Sequence, residues 1–169
     1  VYKRQVPCYG YCIEIPRSGR FDAAAASALG LPVQTWNRLQ KGETILWEDK
    51  EYAPDMVMGP PRKGIKVAYC TDTRPLDRIA DNAKGADLFI CEGMYAEPDK
   101  LAKAKQYKHM TFYEAAELAK KAEVKQMWLT HFSPSLVGAK GYMKDVKRIF
   151  AESYLGEDGK MLELDFLEE

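Results

Sequence analysis

The spacing of apolar and polar positions changes character near residue 65. Before it the apolar runs are short. "YGYCIEI" has strand composition and is closed by Pro16 and Gly19. "FDAAAASALGLP" predicts a short helix, capped by Asp22 and stopped by Gly30 and Pro32. "VQTWNRLQKG" predicts a second helix ending at Gly42, and "ETILWEDKEYAP" a hairpin turning near Asp49. After "MGPPRKG", a turn-rich loop, three continuous apolar runs of strand length follow: "IKVAYC", "ADLFICEG" and "VKQMWLTH". Helical patterns lie between them. "LDRIADNAKG" is stopped by Gly85, and "PDKLAKAKQY" has Pro98 at its start. "TFYEAAELAKKA" puts Phe112, Ala115, Ala116 and Ala119 on one face and opens with Thr111 and Glu114 at capping-box spacing. "YMKDVKRIFAESY" predicts a last helix, and the alternation of "KMLELDF" predicts a final edge strand. Strands alternating with short helical crossovers predict an α/β layer.

Composition narrows the class. A chain of 169 residues is long enough for one domain burying roughly 70% of its unfolded surface. Its 25 basic and 25 acidic residues cancel, which excludes a protein that coats nucleic acid over its whole surface but permits a local basic patch. No apolar run approaches the ~20 residues of a membrane span. Cys8, Cys12, Cys70 and Cys91 form no CxxC pair and fall in strand-like stretches. They are expected to be small buried hydrophobes in a reducing, cytoplasmic setting. The chain opens on Val1 and enters a strand with almost no lead, as expected of a piece of a larger gene product.

The chemistry collects where the three apolar runs end. They close as "YCTDTRP" with Asp72, "ICEGMY" with Glu92 and "LTHFSPS" with His131. Functional groups of α/β sheets gather outside the carboxyl ends of strands. His109, the second of only two histidines, lies just before the capped helix, whose amino end offers unpaired N–H groups to an anion. Each residue alone has an ordinary alternative: Asp72 a helix cap, Glu92 an ion-pair partner, His131 a hydrogen-bonded loop residue, Thr111 a plain N-cap. Jointly they suit a borderline metal such as Zn²⁺, and a carboxylate can bridge two ions. Two ligands do not hold two metals, so the site reads as half of a larger one.

"GIKVAYCTDTRP", "GADLFICEGMY", "YKHMTFYEAAELAKKAEVKQMWLTHFSPSL" and "DGKMLELDF" resemble the carboxyl-terminal half of ribonuclease Z, a metallo-β-lactamase-fold endonuclease. The resemblance implies that residues 1–169 form the carboxyl-terminal portion of one domain, half of an αββα sandwich with a mixed sheet and flanking helices. It implies Asp72 as the ligand bridging two Zn²⁺ ions and His131 as the last histidine ligand. Glu92 and His109 would help a proton reach the leaving 3′ oxygen, and Thr111 would touch the substrate phosphate. The implied reaction removes the 3′ trailer of precursor tRNA by hydrolysis, in a cytoplasmic homodimer.

The chain departs from the family pattern in several places. The His-x-His-x-Asp-His motif is absent, and its place is before residue 1. Lys3, Arg4 and Gln5 stand where a further histidine ligand is usual. "LGLPVQTWNRLQKGE" lacks the Gly-Pro pair of the tRNA-gripping arm, Met110 replaces a common Ser, and the loop after His131 reads Ser-Pro-Ser-Leu. A related hydrolase of another phosphodiester or ester, or a non-catalytic α/β module, therefore stays open. On this reading the chain alone is expected to fold only partly, to bind Zn²⁺ weakly and to be inactive. Arg62, Lys63, Lys66, Arg74 and Lys108 are the basic residues placed to meet RNA backbone.

Overall fold

The structure is a computed structural model and describes residues 8–167. Lys3, Arg4 and Gln5 lie outside the described residues. The chain divides into two compact units: the chain up to Glu14 with Ile65–Asp165, and Ile15–Gly64 with the chain from Phe166 onward.

The first unit carries the candidate site. Five strands lie in the order β1 (Tyr11–Arg17), β4 (Arg62–Cys70), β5 (Leu88–Glu92), β6 (Met127–Thr130) and β7 (Ser153–Leu155). From β4 to β7 the pairing is parallel, in register Cys70↔Cys91, Cys91↔Leu129 and Leu129↔Leu155. Parallel neighbours need crossovers, supplied by α3 (Asp77–Ala83), α4 (Leu101–Tyr107), α5 (Phe112–Lys121) and α6 (Met143–Ile149). One face of the sheet is a dry core. Ala68, Cys70, Phe89, Cys91, Met127 and Leu129 alternate onto it and pack with Ala80 and Ala83 of α3, Phe112, Ala115, Ala116 and Ala119 of α5, and Val146 of α6. Small residues on the helices let them sit close to the sheet. On the alternate face Tyr11, Ile13 and Tyr69 are exposed while Leu88 and Trp128 are buried; among the described residues α3, α5 and α6 pack on the first face. That is the α/β half-sandwich expected from sequence.

Gly93 sets how close α5 comes to β5. A Cβ there would lie 2.7 Å from Phe112 Cδ1 and 3.0 Å from Leu129 Cδ2, inside ordinary contact distance. With glycine, the end of β5 and the start of α5 meet directly, and Glu92 and Thr111 are delivered to one place.

The second unit holds α1 (Ala23–Ala28), α2 (Val33–Gln40) and the hairpin β2 (Ile45–Trp47) with β3 (Lys50–Tyr52). Asp22 caps α1 by accepting from the Ala25 N–H at 2.8 Å. The hairpin turns through Glu48 and Asp49, both with positive φ, as a tight two-residue connection requires. Leu39, Ile45, Tyr52 and Val57 fill its core.

Three expectations need correction. The predicted final helix ends at Ile149, and the edge strand is Ser153–Leu155, while "KMLELDF" forms no strand. Ser153–Leu155 wins because its backbone pairs with Met127–Leu129, whereas Met161 stays 91% exposed and has no face to bury. Cys8 and Cys12 are exposed and only Cys70 and Cys91 are buried: Cys12 lies on β1, the outermost strand of the five, and Cys8 precedes it. The run at β4 is buried on one face only, with Tyr69 turned outward.

Candidate metal centre

The carboxyl ends of β4, β5 and β6 converge. Asp72, His109 and His131 each offer one ligand atom, and these atoms all lie within 4.8 Å of one another. His131 Nε2 is 3.4 Å from Asp72 Oδ1, and both side chains are part-exposed. The His109 and His131 rings lie 5.5 Å apart between centroids. Sequence reading named Asp72 and His131 as ligands and kept His109 for proton transfer; the structure brings all three together.

The backbone at this cluster is strained. Asp72 and His131 have φ of 57° each, and Lys108, just before His109, has φ of 59°. Non-glycine residues in this region cost about 1–3 kcal/mol each and persist where the surroundings over-determine them. At Lys108 the strain has a local use. It ends α4 in a left-handed turn, after which the His109 N–H donates to Ala104 O at 2.9 Å and the imidazole enters the interior, 2% exposed. Asp72 does not cap the next helix: the N-cap of α3 is Leu76, with no side-chain cap bond. The capping alternative for Asp72 is thereby removed.

Behind the cluster sits a buried acid. Glu92 is fully buried and its Oε2 lies 2.8 Å from His109 Nδ1. The same carboxyl accepts from the Thr73 N–H at 2.5 Å and from the Met110 N–H at 3.3 Å. Burial pushes its pKa up to about 7, although the Thr73 and Met110 N–H groups favour the charged form. Among the described residues the side-chain partner of Glu92 is the His109 imidazole, and no lysine or arginine pairs with it. A carboxyl on one nitrogen of a histidine fixes the ring and leaves Nε2 for chemistry at the cluster. The Asp72 carboxylate and the His131 imidazole form a donor pair that fits a borderline divalent cation, with the His109 ring beside it. An ion held there by Asp72 and His131 would supply charge to polarise a phosphoryl oxygen and to acidify a water.

Thr111 is not part of that cluster. It is 3% exposed. Its Oγ accepts from the Glu114 N–H at 3.2 Å and donates to Glu114 Oε2 at 3.1 Å, a complete capping box. Replacing Thr111 with alanine is expected to cost about 1 kcal/mol, read as a lower urea midpoint with unchanged slope. Serine, which keeps the hydroxyl, should restore most of it.

Sequence reading missed the role of Arg74. Its Nη1 donates to His109 O at 2.5 Å and to Glu114 Oε2 at 3.0 Å, and Nη2 pairs with Glu114 Oε1. Lys66 pairs with Glu14 at 2.9 Å, and Arg62 donates to Ser18 O at 3.0 Å. Arg74, Lys66 and Arg62, all proposed to face RNA, are thus held by protein partners. No local signal in the sequence pairs Arg74 with Glu114, 40 residues further on.

The family profile described as Beta-lactamase superfamily domain matches residues 13–132. Ribonuclease Z of Agathobacter rectalis is 62% identical over 99% of this chain and 55% of that protein. Ribonuclease Z of Lachnospira eligens is 58% identical over 97% of this chain and 54% of that protein. The chain spans about half the length of the curated relatives it matches. Among solved structures, the metallo-beta-lactamase fold protein YhfI from Bacillus subtilis is 28% identical, with a TM-score of 0.52 over 59% of this chain and 40% of that chain. No helix among the described residues is long and apolar enough to cross a membrane. The chain therefore belongs to the beta-lactamase superfamily, and along nearly all of its length it is similar to proteins named Ribonuclease Z.

Proposed function

We propose that this chain is the carboxyl-terminal part of a Zn²⁺-dependent endoribonuclease of the ribonuclease Z type, which hydrolyses the phosphodiester that joins the 3′ trailer to precursor tRNA. The observation that carries the reading is the convergence of Asp72, His109 and His131 within 4.8 Å, backed by the Glu92–His109 contact at 2.8 Å. The names of the relatives support the substrate class. Asp72 and His131 hold metal together with ligands from the rest of a longer protein, where a full site would take two ions.

His109 and Glu92 form the proton path. Scission leaves a 3′ oxygen that needs a proton. His109 Nε2 delivers it, and the Glu92 carboxyl on Nδ1 orients the ring and stabilises the imidazolium. Thr111 aims the amino end of α5, and its hydroxyl meets a phosphate only by releasing Glu114.

The test is cleavage of a precursor tRNA bearing a 3′ trailer by the full-length gene product. Endonucleolytic release of the trailer, abolished by chelator and restored by Zn²⁺, is the expected result, with the 169-residue chain alone inactive. Robust turnover by this chain alone would refute the division of ligands between the two halves. Cleavage of small phosphodiesters but not of the tRNA would favour the related hydrolase.

A further inference from the structure

We propose that Arg74 is the positioning residue of the metal centre, holding Asp72 and His109 at a fixed separation through its fork on Glu114 and the His109 carbonyl. The inference rests on reading the cluster as a metal centre.

Asp72 lies in a backbone conformation that must be held from outside. Two attachments follow it directly. The Thr73 N–H is bound to Glu92 Oε1 at 2.5 Å. One residue further, the Arg74 guanidinium reaches His109 O at 2.5 Å and Glu114 Oε2 at 3.0 Å, with a second contact to Glu114 Oε1. Glu114 Oε2 in turn accepts from the Thr111 N–H at 3.0 Å. One planar cation therefore joins the loop that carries Asp72, the backbone of His109 and the first turn of α5. Only a guanidinium presents enough fixed donors for this; a lysine ammonium offers a single point of charge.

The pair is set up to be strong. The Arg74 and Glu114 side chains are 24% and 19% exposed, so screening by water is weaker than for a surface ion pair. Burial favours a neutral Glu114, yet Arg74 and Thr111 outweigh it and hold the carboxyl below its usual range. Arg74 is consumed by this work and is not a contact for RNA phosphate. Without the fork, the Asp72 turn is free to relax toward ordinary φ, and the Asp72 carboxylate leaves its place beside His131.

The experiment measures Zn²⁺ affinity of the full-length protein by competition with a chromophoric chelator, alongside urea unfolding of the metal-free form. Arg74→Met should weaken Zn²⁺ binding about 10–100-fold, the range for partners one step removed from a metal, and Arg74→Lys should fall between it and the parent. Glu114→Gln keeps the shape of the capping box and guards against an unfolded methionine variant; it should weaken binding several-fold, by about half the logarithmic loss of Arg74→Met. Lys121→Met, which removes the exposed pair to Asp77, is the control and should leave affinity within about twofold. A merely structural Arg74 would lower the urea midpoint with Zn²⁺ affinity unchanged, and that result overturns the proposal. So does a parent protein that binds no Zn²⁺. Zn²⁺ binding that follows the expected order without cleavage of precursor tRNA would sink the substrate assignment and leave this inference standing.

Discussion

Replacing Glu92 with alanine should destabilise the fold by about 3–5 kcal/mol, because each buried donor left without its acceptor costs about 1–3 kcal/mol. Alanine strands three donors at once: the Thr73 N–H, the Met110 N–H and His109 Nδ1. Glu92 and His109 are 0% and 2% exposed, so the stranded groups have no ready access to bulk water. A total stability of about 5–15 kcal/mol makes this a large share. Glutamine is expected to retain roughly half of the stability lost by alanine. Its single carbonyl oxygen can still accept from Thr73, while its amide N–H₂ faces the Met110 N–H as a second donor. Urea unfolding followed by tryptophan fluorescence measures both; Trp128 lies on β6, in register with Ile90 two residues before Glu92. An alanine variant within about 1 kcal/mol of the parent would mean that water replaces the carboxyl, and the buried pair would lose its place as the keystone of the proton path.

How much of this was legible in the sequence depends on the reach of each signal. The capping box at Thr111 and Glu114, the turn at Asp49 and the cap at Asp22 were all readable, because each is settled by residues within four positions. The three strand ends were readable because parallel strands buried against helices make continuous apolar runs that stop abruptly at polar residues. "KMLELDF" misled for the same local reason. Its alternation is a strand pattern, but pairing decides which strand forms, and the partner of Met127–Leu129 is Ser153–Leu155. Arg74 was misjudged because its acidic partner is 40 residues away; local charge patterning cannot show that distance being closed by a β–α–β path. The strain at Asp72 and His131 was invisible, since neither residue is a glycine that would advertise a positive φ.

That strain yields the sharpest separation between a functional and a structural role. In the full-length protein, Asp72→Gly and His131→Gly should each leave stability unchanged or raise it by up to about 1 kcal/mol, because glycine adopts φ near 57° without the clash of a Cβ. The gain is partly offset by the greater freedom of glycine in the unfolded chain. Both variants should lose metal binding and slow phosphodiester hydrolysis by about a thousandfold or more. A metal contributes several kcal/mol of charge stabilisation, and every ~1.4 kcal/mol is a factor of ten in rate. A residue kept for folding gives the opposite pairing: stability falls and activity follows only as far as the folded fraction does. The two quantities are therefore measured on the same preparations, melting temperature in the metal-free form and turnover at saturating Zn²⁺. A glycine variant at Asp72 that melts lower and still cleaves would show that the left-handed turn serves packing, and Asp72 and His131 would then be neighbours without being ligands. Stable but inactive variants at both positions would mean that the fold tolerates two strained residues because the centre requires them.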